Sequence, residues 1–454
     1  MALSPTEIDL IGKLQRAHEG TAAADERLER YYQGRQRLEQ LGMAIPPSMR
    51  HFLVISNWGR VVVGTKADRQ QVRSLFLPGE ETADPQLRAI WDASNLDAHV
   101  QMFNRDRMIF GRAFLSVGTN EDDPSTPLVR VESPREMVAQ VDVRREVVTA
   151  AARFYGVDEV TGLGPTHVTL YLPDETVWLE KDRGRWYEVD RDRHKLGAVP
   201  VIMHLNRRMS SGWVGESELT DIIPLMDASA RSLTNLQFAQ EAHGIPRMWM
   251  TGVAKGDFLD ADGKPIPQFE AYFDAIHTLT KPEAKVGQLT AADLKNFQTA
   301  LDIYGQQASI VTGFPARYFG TTTVQPPTEG SVVADESKLI RSVEADNVEV
   351  GKTLGWAGAL ALRFASGEWV EGNRVRVEWF NPATPTIAQR EDALAKRRAA
   401  GVLSREGYWD ELGWSEARKE KERAYLEREA NDPALEGIVS SLMGTADAGT
   451  EPGI

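Results

Sequence analysis

The longest regular pattern of apolar positions lies between residues 328 and 366. Val332, Leu339, Val343, Val350, Leu354, Ala361 and Phe364 follow one another at steps of seven, four, seven, four, seven and three, which puts them on one stripe of a helix. Thr328 can cap its start, because a hydroxyl accepts from the free amides of a first turn. Pro326 and Pro327 lie just outside, where a helix cannot extend backwards. At about 1.5 Å per residue such a helix is close to 60 Å long. Gly351, Gly355 and Gly358 in its second half predict a kink. An uncharged loop, Gly320 to Pro327, precedes it and joins it to another helix. A long helix carrying a small, uncharged, protruding loop suits a part that lines a passage, and the residues alone fit a flexible surface linker over Gly320 to Gln325 equally well.

Elsewhere the period changes along the chain. Ser4 to Glu7 reads as a capping box with proline at the first helical position, continued by Ile8, Ile11 and Leu14. A second helix is expected from Ala22 to Leu41, ending near Gly42; Pro46 and Pro47 break the chain, and a further helical segment follows near Ser48 to Val63. Asp84 to Phe110 is helical in pattern. Ala113 to Val117, Leu128 to Val131, Glu136 to Val141, Val147 to Phe154, Val168 to Leu172 and Val177 to Glu180 are strand-like and rich in β-branched residues. Asp182 to Gly184 is a turn between Trp178 and Trp186, predicting a hairpin. This α+β block closes around Pro200 to Asn206. Ser217 to Ala242 is helical, and Pro224 either bends it or marks its true start. Residues 247 to 288 are short, mixed and turn-rich, and Ala291 to Thr312 is helical again, so that two helices flank a small excursion. Arg374 to Phe380 alternates as a strand that could rejoin the first block's sheet. Thr386 to Ala399, Ser404 to Leu412 and Ser415 to Glu429 are helices with mixed charge, and the stretch from Asn431 is small and polar.

Composition narrows what such a chain can do. At 454 residues with 42% apolar and 26% charged, it can build a core and more than one domain. Lys and Arg number 52 against 66 Asp and Glu, so 52 − 66 gives −14. A protein that grips nucleic acid by its phosphates carries basic charge at the contact, so tight sequence reading is disfavoured, whereas passage along a repelling wall is not. With no cysteine, disulfides, thiolate metal sites and cysteine nucleophiles are excluded. The start, with Glu7 and Asp9 and no apolar core, does not read as a signal peptide, and no 18-residue apolar run predicts a membrane span.

Candidate chemistry is sparse. Gly351-Lys352-Thr353 resembles the end of a phosphate loop, but the glycine required five residues earlier is Asp346, and the segment lies mid-helix. Gly215 to Leu219 starts like a nucleophile elbow without its closing glycine, and Ser217 is better read as the cap of the following helix. Asp260 to Gly263 has the look of a calcium loop, yet position 271 is Ala271, so a turn is expected. The histidines are scattered, and Glu121 to Asp123 reads as a solvated carboxylate loop. Trp58, Trp91, Trp178, Trp186, Trp249 and Trp356 mostly fall on apolar stripes, for which core or interface is the default. No catalytic set, metal site or cofactor site is assembled.

The order of pieces resembles the portal protein family of tailed double-stranded-DNA bacteriophages, of the siphovirus kind. The residues that carry the likeness are Tyr31-Tyr32-Gln33-Gly34, Ser56-Asn57-Trp58, Trp91 to Asp97, Asp106 to Val117, Ser133-Pro134, Gln140 to Asp142, Val199 to Asn206, Gly215 to Ile222, Thr312 to Gly320, and Ser331 to Leu339. Each is weak alone; their order is the specific signal, and it covers the chain to about residue 430. The resemblance implies an α+β, mainly helical fold: N-terminal helices and an α/β wing over 1–205, with 368–382 returning to it, a stem helix over 206–243, a clip over 244–289, a second stem helix over 290–312, a tunnel loop over 313–327, a long kinked tunnel helix over 328–367, a helical crown over 383–430 and a tail over 431–454. It implies a homo-oligomeric ring, a dodecamer, in the virion at one capsid vertex, assembled in the host cytoplasm. Double-stranded DNA would pass through it without sequence recognition. The implied partners are the terminase large subunit, the major capsid and scaffolding proteins and a head-tail adaptor, with no membrane and no enzyme activity. It places Thr321, Thr322, Thr323, Val324 and Gln325 facing DNA, and Lys255, Asp257, Asp260, Asp262 and Lys264 in the clip against adaptor or terminase. After Arg317 the loop holds no Lys or Arg, so a steric or polar contact with phosphates is expected there rather than a charged grip. The tryptophans and tyrosines of the wing are candidate anchors of the ring. Two other classes stay open: a capsid-associated adaptor or minor head protein, which needs no long helix with a protruding loop, and a nucleotide-hydrolysing packaging enzyme, which needs the phosphate loop that is missing.

Overall fold

The structure is a computed structural model that describes residues 3–36, 54–157, 164–243, 248–252, 285–288, 294–320, 329–370, 375–383, 387–414 and 416–430. It is mixed helix and sheet, and it divides into two compact units, Met1–Pro382 and Ala383–Ile454.

The first helix, α1 (Pro5–Gln33), is closed at its start by the predicted capping box: Glu7 N donates to Ser4 Oγ at 3.2 Å, and Ser4 N donates to Glu7 Oε2 at 2.7 Å. One helix stands where two are expected from the sequence. Gly20 sits beside a run of three alanines, strong helix formers that carry the helix past it. It ends at Gly34, left-handed at φ 69°, the conformation glycine adopts without steric cost. Helix α2 (Trp58–Asp68) follows, then strand β1 (Val72–Phe76). The helical pattern of 84–110 is two helices, α3 (Pro85–Ala93) and α4 (Leu96–Phe110). They part at Asn95, which takes φ 50°, a turn conformation that asparagine tolerates better than most residues.

Strands β2 (Arg112–Gly118), β3 (Leu128–Glu132), β4 (Met137–Asp142), β5 (Val147–Tyr155), β6 (His167–Tyr171), β7 (Thr176–Asp182), β8 (Arg185–Asp192) and β9 (Val201–Leu205) build two antiparallel sheets in the orders β3-β2-β9 and β4-β5-β6-β7-β8. Arg183 and Gly184, at φ 45° and 81°, turn β7 into β8, the positive-φ pair that matches the twist of a two-residue hairpin. α1 lies on the five-stranded sheet through Ile11 and Leu14 against Phe154, Val168, Leu170 and Leu179. The other face of that sheet meets the smaller one through Met137, Ala151, Phe114 and Val201.

Helix α5 (Ile223–His243) begins at Ile223, so Pro224 marks the true start rather than a bend. Ser217 does not cap it; its Oγ accepts from Leu219 N at 3.1 Å and donates to Met108 O at 3.2 Å. Strands β10 (Met248–Thr251) and β11 (Lys285–Gln288) pair antiparallel. Helix α6 (Lys295–Thr312) leads through a 3-10 turn (Ala316–Phe319) towards the long helix α7 (Glu329–Ser366). Its 38 residues span about 57 Å at the usual rise. Leu339, Val343, Val350, Leu354 and Ala361 of the predicted stripe are buried. α7 stays a single helix through its glycines, two of which let neighbours close in. A Cβ on Gly351 would meet Trp379 Nε1 at 3.4 Å, and one on Gly358 would meet Leu87 Cδ2 at 3.1 Å.

Strand β12 (Arg376–Trp379) does not join either sheet of the α+β block. It pairs with β1, a strand not expected from the sequence, with Leu75 opposite Val377. The two form a ribbon whose Val375 and Leu75 share a core with Leu354, Leu360, Trp91 and Phe103. In the second unit, α8 (Ile387–Ala399), α9 (Arg405–Glu411) and α10 (Glu416–Ala430) are short. Ser404 Oγ caps α9 by accepting from Gly407 N at 3.0 Å, and Trp409 stacks on Trp414 with centroids 5.7 Å apart.

Candidate functional site

The loop between α6 and α7 is the feature singled out by sequence, and the structure describes both of its roots. Its residues Thr321 to Gln325, and the clip candidates Lys255, Asp257, Asp260, Asp262 and Lys264, lie outside the described residues. The site can therefore be built from what holds the loop.

On the α6 side the chain is tied down over eight residues. Gly313, at φ 74°, ends α6, and a Cβ there would come within 2.8 Å of the Lys338 side chain on α7. Phe314 and Phe319 are buried, and Phe319 meets Trp58 edge to face with centroids 5.6 Å apart. Between them Arg317 and Tyr318 reach α7. Arg317 Nη2 donates to Glu336 Oε1 at 2.5 Å, and its Nη1 pairs with Asp335. Tyr318 Oη donates to Glu336 Oε1 at 3.0 Å. Arg69, just past the end of α2, donates to the other oxygen, Glu336 Oε2, at 3.0 Å. One buried carboxylate thus joins the incoming root, the outgoing helix and the body of the unit. Burial works to raise the Glu336 pKa. Hydrogen bonds from Arg69 and Tyr318 and the nearby guanidinium charges outweigh it, so the carboxyl titrates below its ordinary value.

Ten residues further along α7 a second polar cluster holds its cations in the interior. Asp346 Oδ2 is 3.2 Å from Arg107 Nη2 of α4 and 3.2 Å from Lys66 Nζ of α2. Lys66 also pairs with Glu218 at 3.4 Å. Arg107 donates further to Asn206 Oδ1 at 2.5 Å, Gln70 Oε1 at 2.6 Å and Asn104 Oδ1 at 3.2 Å, and Gln70 donates to Asn347 on α7 at 2.9 Å. The Arg107 side chain is only 1% exposed. Two cations and two anions balance, which is the condition under which charges persist in a protein interior. Beside them His204 Nδ1 lies 2.8 Å from Thr353 Oγ1. Burial, then the charge of Arg107, pushes the His204 pKa down to about 3 against the pull of Asp346, so the imidazole is neutral near pH 7.

Two of the short motifs meet in space. Asn57 Nδ2 donates to Tyr32 O at 2.9 Å, and a Cβ on Gly34 would touch Asn57 Nδ2 at 3.1 Å, so 31–34 and 56–58 form one joint. Tyr31 Oη donates to both carboxylate oxygens of Asp227 on α5, at 3.0 and 2.9 Å, tying α1 to that helix.

Other candidates resolve into structure. Lys352 and Thr353 sit mid-helix in α7. Asp123 accepts from Ser125 and Thr126 within its own turn. Among the described residues no group of three or more His, Cys, Asp or Glu is placed to hold a metal, and no helix is long and apolar enough to cross a membrane. Trp58 and Trp91 are core residues and are not available as anchors between copies; among the described residues Trp356 and Trp369 are the exposed pair, stacked at 5.7 Å. The buried quartet was not singled out by sequence, although a signal existed. Asp346 fills the vacant place between Val343 and Val350 on the apolar stripe, where a charge must find a partner.

Comparison with known proteins gives a consistent picture. Residues 12–434 match the family model described as phage portal protein, SPP1 Gp6-like. The portal proteins of Mycobacterium phage D29 and Mycobacterium phage L5 are each 33% identical over 414 residues, covering 88% of this chain and 84% of theirs. Among solved structures, a chain of the neck of a native GTA particle computed with C12 symmetry aligns at TM-score 0.44 and 13% identity, over 86% of this chain and 92% of that one. A chain from the virion of a native gene transfer agent particle aligns at TM-score 0.46 and 14% identity, over 84% and 96%.

Proposed function

The chain belongs to the SPP1 Gp6-like family of phage portal proteins, and from that premise we propose that its copies close into a ring, a dodecamer, at one capsid vertex. The ring is the conduit through which a terminase drives double-stranded DNA and through which DNA leaves. It is also the platform on which a head-tail adaptor and the tail dock. In this reading α5 and α6 are the stem, 244–289 the clip, α7 the tunnel helix, 383–430 the crown, and Thr321 to Gln325 the polar loop against DNA.

The observation that carries the proposal is the double anchoring of the 321–328 loop. Its incoming root and Arg69 of the body bind the same carboxylate, Glu336, which its outgoing helix carries. A loop that must keep its place while a polymer slides past needs both roots on a rigid body. The charge of −14 per chain supports passage without trapping, because a wall that bound phosphates would stall DNA. The protein does this work without covalent chemistry of its own.

Negative-stain electron microscopy of the purified protein, paired with light-scattering mass, tests the ring. Rings with a central hole at many times 50.5 kDa are expected. A compact dimer that hydrolyses ATP overturns the proposal.

A further inference from the structure

Two exposed apolar patches lie on opposite flanks of α7. The first is a knob. The turn between β4 and β5 carries Val143 and Val147, 65% and 41% exposed, and the loop after β9 carries Met209 and Val214, 68% and 76% exposed. An ion pair at 2.7 Å from Arg208 to Glu146 joins turn and loop, and the Arg208 guanidinium also stacks 3.7 Å from the centre of the Trp213 ring. The loop's exit is fixed as well: a Cβ on Gly215 would fall 1.8 Å from Gly111 O. This is a held surface of four aliphatic side chains.

The second patch is a groove of about 500 Å³ between α7 and β12, walled by Val348, Val377, Trp379 and Phe380. Val348 is 61% exposed and Phe380 51%. Helical geometry separates the two patches. β9, which leads into the knob, touches α7 at Thr353, and Arg107 next to Asn206 touches it at Asp346. β12 and its flank touch α7 at Gly351 and Gly358. At 100° per residue those two pairs of positions point roughly 120–160° apart around the helix axis.

Resting on the ring reading above, we propose that the Val143–Val147–Met209–Val214 knob of one copy seats in the α7/β12 groove of the next copy. A ring needs heterologous contacts, made by two different surfaces on opposite sides of each subunit. The patches meet that need: one is an exposed aliphatic turn and loop, the other a groove with aromatic walls. Contiguous exposed apolar area of this kind marks an interaction surface. Charge adds direction. Arg144 and Arg145 at the knob's turn are exposed and make no ion pair among the described residues, and neither does Glu344 on the groove's wall. The groove also holds two cations, placed away from Glu344. Arg376 lies over the Phe76 ring at 4.7 Å, and Lys352 is eight residues, about 12 Å, along the helix from Glu344.

The absence of cysteine from the chain makes the test clean. Val214→Cys and Val348→Cys are introduced singly and together, rings are checked by negative stain, and the samples are oxidised and run without reductant. The double variant is expected to give a ladder of covalent multimers up to ring size, while each single variant stays monomeric on the gel. Rings without a ladder, or with both thiols freely labelled by maleimide, overturn this interface and leave the ring reading standing; the groove then serves a different partner. Covalent dimers from Val214→Cys alone overturn it in favour of a two-fold contact. Failure of the unsubstituted protein to form rings removes the premise and the inference together. As a second measurement, Met209→Asp with Val214→Asp is expected to abolish rings while the circular dichroism of the chain is unchanged.

Discussion

The long helix is fastened at two places, and the fastenings differ in depth. Around Asp346 the cations are sealed: the side chains of Arg107 and Lys66 are 1% and 6% exposed. Around Glu336 exposure rises outwards, from 8% for Glu336 and 11% for Arg69 to 30% for Arg317 and 51% for Asp335. The inner anions keep some contact with water, Asp346 at 18% and Glu218 at 11%, but the sealed cations fix α7 in the fold and set its register against α2 and α4. The outer cluster is graded towards solvent and holds the loop roots. The same chemistry, a carboxylate held between cations, thus fastens α7 at both places.

Removal of the inner anion should have the largest effect on stability. Asp346→Ala leaves Lys66 and Arg107 short of a partner in the interior, and a loss of about 3–5 kcal/mol is expected, read as a lowered midpoint in urea unfolding. A loss no larger than that of a surface pair would mean that the cluster is wetter than it looks. Glu336→Ala should cost less, about 1–3 kcal/mol, because Arg317 can turn to water. Its distinctive effect is on packaging: rings should form while the yield of DNA-filled heads falls.

A third carboxylate, Asp106, is half-buried on α4 without a clamp of this kind. Burial, then the charge of Glu29, raises the Asp106 pKa to about 7 against the opposing charge of Arg105. With the folded value above the ordinary one, the fold favours the protonated acid. Its contribution is present at low pH and is lost as pH rises from 3.8 towards about 7. Asp106→Asn should therefore match the native protein near pH 4 and exceed it above pH 7 by up to a few kcal/mol, at roughly 1.4 kcal/mol per pKa unit, as measured by denaturant titration at both pH values. The smallest effect on stability is expected for deletion of Thr321 to Gln325, within about 0.5 kcal/mol, with rings intact and packaging impaired. Loss of ring assembly in that deletion would show that the loop belongs to subunit contacts.

Much of this architecture was legible in periodicity. The stripe from Leu339 to Ala361 became the buried face of α7, Ser4 to Glu7 became a cap, and the run of β-branched segments became the two sheets. Local signals failed where neighbours decided. Gly20 did not end a helix that the sheet beneath it supports, and Asn95 split one that periodicity joined. β1 is too short and polar to announce itself, and it exists as a strand because β12, which alternation did predict, pairs with it.

The family, the absence of thiol chemistry, the acidic balance and the long helix with its uncharged loop were readable from residue order and count alone. Only the tertiary structure decided that Asp346 sits between Lys66 and Arg107, that Glu336 joins both loop roots to Arg69, and that Tyr31 answers Asp227 across 196 positions. The physical reason is that a charge on an apolar stripe declares its need for a partner, while the partner's identity depends on which distant elements the packing brings within about 3 Å.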